Sequence, residues 1–214
     1  MAMPVPPPDF LVVGHLACDL TPRGPAPGGT VAYAALTARR LGVRAAALTS
    51  AGPELDAAAA LPGVQLHCLP SPRSTTFLNR YRRDGRRIQE LRAVARPLAA
   101  ADVPPALRPC PVVLLGPVAG EVAPALAAAW PRALLEVCPQ GWMRTWDAAG
   151  RVRPAPCRLS PSWCSLPWSG PDAPPSGSVP ASPWRAGQVG ICRLRPIGVC
   201  GPGPWVGAVP VSEF

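Results

Sequence analysis

Apolar positions along this chain fall into short continuous runs separated by turn-rich text. Phe10 to Gly14 is apolar throughout and ends in glycine, the pattern of a strand buried on both faces. Leu20 to Gly29 holds three prolines and three glycines and reads as turns. Thr30 to Leu41 then predicts a helix, with Val31, Ala34, Ala35, Ala38 and Leu41 on one face and Gly42 as its stop. Val43 to Thr49 reads as the next strand, Glu54 to Leu61 as a short helix and Val64 to Leu69 as a further strand. Thr75 to Tyr81 and Arg86 to Leu91 flank Asp84-Gly85, a two-residue hairpin turn. The alternation resumes with Val112 to Leu115 as a buried strand, Glu121 to Trp130 as an Ala-rich helix and Leu134 to Cys138 as a strand. Apolar strands alternating with helices predict an α/β fold whose parallel sheet is covered on both faces. The arginine-rich hairpin cannot enter that core, so it is expected to form a separate small sheet over one edge.

The pattern breaks near Pro156. Residues 157 to 214 hold four of the eight Cys, four of the seven Trp and eight of the eleven Ser, but four Ala against thirty-one before them. Helical and strand periodicity stop at the same place, so the expected organisation has three parts. Residues 1 to 8 are a disordered Pro-rich start, 9 to 155 an α/β domain, and 156 to 214 a disordered tail. We read the tail as an out-of-frame translation, with a natural Pro-rich segment anchored by Trp163, Trp168, Trp184 and Trp205 as the competing account.

Composition adds exclusions. All 21 basic residues are Arg, which with the Ala, Gly and Pro excess reads as GC-rich coding, so the net charge of +9 says little about partners. The one cluster, Arg80, Arg82, Arg83, Arg86, Arg87, Arg92 and Arg96, straddles the hairpin turn. A solvated face is the first reading, ahead of substrate-phosphate steering and nucleic-acid contact; for the last, Tyr81 is the only aromatic in the cluster. No Cys-x-x-Cys occurs and His15 and His67 are the only histidines, so no zinc spacing can be assembled. Cys18, Cys68, Cys110 and Cys138 lie in or beside apolar runs and are expected as buried free thiols. No metal ligand set is expected. Without a basic n-region, an apolar h-region or a membrane-length run, the expected localisation is cytoplasmic.

The run Val-Val-Gly-His-Leu-Ala-Cys-Asp19, a Gly28-Gly29 pair opening a helix that closes on Leu-Gly, and a strand over Val43 to Gly52 together resemble the N-terminal half of the ribokinase-like (pfkB) carbohydrate and nucleoside kinases. Thr75-Thr76 with the Asp-Gly hairpin looks like part of that family's lid, over about residues 75 to 92. Leu114-Leu115-Gly116-Pro117 and Val137-Cys138-Pro139-Gln140-Gly141 look like its later strand ends. The resemblance covers roughly residues 9 to 155 and implies a partial, doubly wound parallel sheet with a small β lid. It also implies ATP- and Mg-dependent phosphoryl transfer to a sugar or nucleoside hydroxyl. Asp19 would bind substrate hydroxyls, and Gly28 and Gly29 would let the backbone approach the substrate; Gly116 and Gln140 follow as polar or close-approach positions after strands. A carboxylate accepts two hydroxyl hydrogen bonds, and a glycine pair removes the Cβ atoms that would block approach.

Two departures from the family are plain. Tyr33 stands where the family has Asn, four residues after the second glycine. The C-terminal Gly-Ala-Gly-Asp that supplies the base and the anion hole is missing, since no Gly-x-Gly-Asp occurs. Gly201-Pro202-Gly203-Pro204 lacks the N–H groups an anion hole uses, and a P-loop needs a lysine. The resemblance thus implies a truncated carbohydrate kinase lacking its catalytic half and nucleotide site. The alternative is a non-catalytic sugar-binding or protein-interaction module, and half a sheet implies a homo-oligomer formed through an exposed sheet edge.

Overall fold

The computed structural model describes residues 6–84, 87–156 and 192–194. The expectations for residues 1–5 and for most of the tail lie outside these residues. The strands are β1 (Phe10–Val13), β2 (Ala17–Thr21) and β3 (Gly24–Gly28), followed by α1 (Gly29–Arg40), β4 (Ala45–Ala51) and α2 (Ala57–Ala60). Then come β5 (Gln65–Pro70), β6 (Thr76–Tyr81), β7 (Arg87–Ala93), β8 (Val112–Leu115) and β9 (Leu134–Val137). A small hairpin, β10 (Arg144–Trp146) with β11 (Val152–Pro154), and β12 (Cys192–Leu194) complete them.

The main sheet has six strands in the order β12-β9-β8-β1-β4-β5, parallel except for β12, which pairs antiparallel with β9. Its two central strands, β1 and β8, are apolar at every position because both faces are covered there. On one face Leu11, Val13, Leu48, Val113, Leu115 and Val137 pack under the segment that carries Leu107, Leu126 and Trp130. On the other, Val12, Ala47 and Leu114 meet Val31, Ala32 and Ala35 of α1 and Leu61. Odd and even residues of one strand therefore serve two different cores.

The hairpin sits apart, as expected, in a four-stranded sheet ordered β3-β2-β6-β7. It joins the main body through a third cluster of Ala17, Phe77, Leu91, Val118 and Ala119.

Several elements differ from the sequence reading. Leu20 to Gly29 is a hairpin: β2 and β3 pair antiparallel with Thr21 opposite Gly24. β3 tolerates Pro25 and Pro27 because it is an edge strand; residues two apart turn their nitrogens to the same side, so both prolines can face away from β2. The expected helix over Glu54 to Leu61 shrinks to Ala57–Ala60. Asp56 caps it by accepting from the Ala58 and Ala59 amides at 3.0 and 2.9 Å, while Glu54 is drawn off to accept from the Ser74 amide at 2.6 Å. The Ala-rich helix over Glu121 to Trp130 is a 3-10 segment, Pro124–Ala129, confined between Pro124 and Pro131.

Helix α1 ends as predicted. Val43 N–H reaches the Ala38 carbonyl and Gly42 N–H the Arg39 carbonyl, each at 3.0 Å, with Gly42 at φ 79°, a Schellman closure. Leu41, expected on the buried face, is instead the exposed cap residue. Cys18, Cys110 and Cys138 are buried free thiols, and Cys68 is free but only half-buried. β12 is an exception to the expectation of a structureless tail, since Cys192–Leu194 extends the main sheet. Among the described residues no helix is long and apolar enough to cross a membrane.

Candidate functional site

The carboxyl ends of β1, β8 and β9 converge on the N-terminus of α1, and this is where a parallel sheet leaves a crevice. Gly116, just after β8, donates to the Val13 carbonyl at 2.8 Å, and Cys138 donates to that of Leu115 at 2.8 Å. Thr30, the second residue of α1, reaches over both strand ends. Its Oγ1 lies 3.7 Å from Cys138 Sγ, and a Cβ on Gly116 would stand 2.5 Å from Thr30 Cγ2. Gly116 thus holds the helix close to the sheet rather than offering a polar contact.

Gly28 and Gly29 are needed for different reasons. A Cβ on Gly28 would collide with the Oδ2 of Asp19. Gly29 has φ 84° and backs onto the His15 carbonyl. The Asp19 carboxylate therefore lies directly against the start of α1, whose N-cap, Gly28, supplies no side-chain hydrogen bond. Asp19 and the glycine pair form one corner.

The lid completes that corner with residues the sequence reading did not single out. Asp19 pairs with Phe77 across β2 and β6, and Asn79 is the next residue on the same face. Asn79 Nδ2 donates to Asp19 Oδ1 at 3.1 Å, and Gln89 Nε2 donates to Asn79 Oδ1 at 2.8 Å. The result is a polar row across three strands, on the face whose inner part is the apolar Ala17, Phe77 and Leu91. Burial pushes the Asp19 pKa up, opposed by the Asn79 hydrogen bond and by the charges of Arg87 and Arg144. Arg144, at the start of β10, lies over the Phe77 ring at 5.7 Å from its centroid and donates to the Val118 carbonyl at 3.3 Å.

Two buried groups brace the site. Glu121, 3 % exposed, accepts from the backbone amides of His15 at 2.8 Å, Val118 at 3.0 Å and Ala119 at 2.7 Å. It ties the loop after β8 to the end of β1. The His15 ring, fully buried, bridges Thr75 Oγ1 at 2.6 Å and the Arg96 carbonyl at 2.9 Å. A carbonyl only accepts, so Nε2 carries the proton. Thr75 Oγ1 accepts from the Ala95 amide at 3.0 Å and gives its own proton to Nδ1. The ring thereby pins the places where β6 begins and β7 has ended.

The remaining two sequence candidates lie at the margins. Tyr33 follows Thr30 by three residues on α1, one turn farther from the crevice, and is 69 % exposed. Gln140 sits half-buried in the 3-10 turn Pro139–Met143 after β9, where Gly141 N–H bonds the Pro117 carbonyl at 2.8 Å. The Arg cluster divides. Arg80 and Arg92 pair with Glu90, Arg96 pairs with Asp102 at 2.7 Å, and Arg87 lies on the face of β7 that carries Gln89.

Near the crevice Glu121 is spent on backbone amides and one oxygen of Asp19 on Asn79, so of these two carboxylates Asp19 Oδ2 alone is left to meet a divalent ion. Among the described residues no group of three His, Cys, Asp or Glu could hold a metal.

No family model and no curated protein matches the sequence. Solved structures do match the fold. A sulfate complex of a pyrophosphate-dependent kinase in the ribokinase family aligns with TM-score 0.55 and 24% identity over 68% of this chain and 55% of that one. The same kind of kinase complexed with a pyrophosphate analog and myo-inositol aligns with TM-score 0.55 and 25% identity, covering 68% and 54%. A myo-inositol-1 kinase converted into a myo-inositol-3 kinase by two substitutions to leucine aligns with TM-score 0.53 and 24% identity, covering 65% and 51%. The chain thus has a partial ribokinase-like fold and spans about half the length of these structures.

Proposed function

We propose that this chain is the acceptor-binding half of a ribokinase-type carbohydrate kinase, built to hold a polyol while its hydroxyl receives a phosphoryl group. The observation that carries this reading is the Asp19–Asn79–Gln89 row, set against the α1 N-terminus at the carboxyl ends of the parallel strands. Asp19 Oδ2 is left to accept from a substrate hydroxyl beside Gly28. Asn79 holds the carboxylate's other oxygen and is itself held by Gln89, and both present amide groups along the same face. Phe77, Leu91 and Val118, packed together as a buried cluster beside that row, hold it in place. Solved structures with this fold include a kinase bound to myo-inositol, which supports a polyol acceptor over other small molecules.

Phosphoryl transfer also needs a base and a charge-stabilising cradle. This chain has no Gly-x-Gly-Asp and no lysine to supply them, so no transfer step is assigned to its residues. A non-catalytic sugar-binding module is the same reading without turnover. The test is isothermal titration of the full chain with myo-inositol, ribose, fructose and a nucleoside, then with ATP·Mg²⁺. The expected result is binding of one polyol class, lost at least about tenfold in Asp19→Ala, which corresponds to about 1.4 kcal/mol. Binding of no polyol, or binding indifferent to Asp19→Ala, overturns the reading. ATP·Mg²⁺-dependent product would place a donor site in this chain and overturn the half-enzyme account.

A further inference from the structure

The β10–β11 hairpin touches both the body and the lid where the two meet. Arg144, at its start, donates to the Val118 carbonyl of the loop after β8 and lies over the Phe77 ring of β6. Val152 of β11 packs against the cluster of Ala17, Phe77, Leu91, Val118 and Ala119 that joins the two parts. The turn of the hairpin reaches the outer side of β7, the edge strand of the lid sheet. There the Leu91 amide donates to the Gly150 carbonyl at 2.7 Å, and Glu90 pairs antiparallel with Arg151.

Two residues of the turn are fitted to that joint. Gly150 has φ 78°, and a Cβ on it would collide with the Leu91 carbonyl oxygen, so only glycine lets the turn come this close. Asp147 shapes the turn from within. Its Oδ1 accepts from the Ala149 and Arg151 amides at 3.0 and 2.9 Å, and its Oδ2 meets Arg151 Nε at 3.1 Å.

The joint falls where β7 most needs fixing. Thr76 pairs with Ala93 but Phe77 pairs with Leu91, so Arg92 is an extra residue and the β6–β7 ladder shifts register at this point. Beyond the shift lies the pair that carries the row, Asn79 opposite Gln89. A slip of one residue there turns Gln89 to the other face of the lid and takes its amide away from Asn79. Leu91, two residues from Gln89 and on the same face, is held from outside by Gly150.

We propose that Asp147 and Gly150 are positioning residues for the Asp19–Asn79–Gln89 row, and that the β10–β11 hairpin is a strap that keeps β7 in the register placing Gln89 beside Asn79. The link to polyol affinity rests on the acceptor-binding reading, whereas the strap itself is read without ligand.

The experiment compares full-length wild type with Gly150→Ala, Asp147→Ala and Asp147→Asn. Amide hydrogen exchange is followed without ligand at Leu91 and in β1, β6, β7 and β8, and each protein is titrated with myo-inositol, ribose and fructose. Asn keeps an acceptor oxygen for the two turn amides, so it separates the shape of the turn from the charge of Asp147. Gly150→Ala and Asp147→Ala are expected to speed exchange at Leu91 and in β6 and β7 at least about tenfold, with β1 and β8 at wild-type rates. Both should weaken polyol binding about tenfold, and Asp147→Asn should restore exchange and binding to within about threefold of wild type. If Gly150→Ala fails to fold, the two Asp147 variants, which add no Cβ at the joint, carry the test. Unchanged exchange at Leu91 in the Ala variants, or equal acceleration in β1 and β8, overturns the strap. An Asp147→Asn variant as impaired as Asp147→Ala removes Asp147 from it. Polyol binding that depends on Asp19 but is indifferent to Gly150→Ala and Asp147→Ala overturns the positioning role and leaves the acceptor reading standing. Lid-selective acceleration in a chain that binds no polyol leaves the strap standing and sinks the acceptor reading.

Discussion

Burial raises the Asp19 pKa, and the Asn79 hydrogen bond and two arginines that favour the carboxylate do not cancel it. The sign for stability follows. A folded pKa above the unfolded value means a contribution that is complete below the unfolded pKa and lost as pH rises through the folded one. At neutral pH the ionised Asp19 therefore works against the fold that positions it. Asp19→Asn should melt no lower than wild type, with a gain of up to about 1 kcal/mol, while losing polyol affinity because the amide offers one acceptor oxygen. Wild-type affinity should rise with pH through the acid range, with a midpoint above the ordinary aspartate value of about 3.9, and the Asn variant should be flat. Thermal melts and titrations across that range decide it; an Asn variant that melts lower and binds normally would refute the argument. Asp19 was legible through the family resemblance alone, which set it at the end of the first strand, whereas it stands in the middle of β2. Asn79 and Gln89 were not, because each looks like an ordinary polar position in a hairpin strand until the register places them on one face. Arg144 was hidden by distance, since nothing in the sequence ties it to a ring sixty-seven positions earlier (144 minus 77).

Strands and turns repeat this division between local and distant causes. β8 was placed to the residue and β1 and β9 within one, because each is a near-continuous apolar run, interrupted in β9 by Glu136 alone. β3 was read as turns because two prolines and two glycines in five residues fit a strand only at a sheet edge, and edge position is a tertiary fact. α2 lost its first turn because Glu54 bonds Ser74, twenty residues on. The hinge of the lid is likewise a long-range construction, in which His15 clasps Thr75 and the Arg96 carbonyl. Thr75→Val removes the hydroxyl that serves both the His15 ring and the Ala95 amide, leaving two buried groups unpaired. The expected cost is about 2–3 kcal/mol. Hydrogen exchange should then speed up in β6 and β7 more than in β1 and β8. Uniform acceleration in all four strands would mean that the clasp supports the whole fold rather than the lid.

At the scale of the whole molecule the question is how a sheet of this kind ends. A parallel sheet that stops at β9 presents unpaired N–H and C=O groups along the outer side of Leu134–Val137, a template for another chain. Here that side is occupied by Cys192–Leu194, paired residue for residue from Cys192 opposite Val137 to Leu194 opposite Leu135. Among the described residues the other edge, β5, has a partner on the β4 side alone. A tail read from its composition as foreign to the domain therefore supplies a strand to it, because backbone pairing makes few demands on side-chain identity. Deleting residues 157–214 should uncover the β9 edge and leave two open edges in place of one. The shortened chain is expected to self-associate with rising concentration and to melt at a lower temperature than the full chain, since three residues of ladder and the cover over one edge are lost together. Light scattering coupled to size exclusion at low and high protein concentration, with a melt of each sample, reads both effects. A shortened chain that stays monomeric and melts where the full chain does would show that the β12 pairing contributes nothing to holding the sheet closed. Self-association would then have to arise at β5, the edge common to both chains.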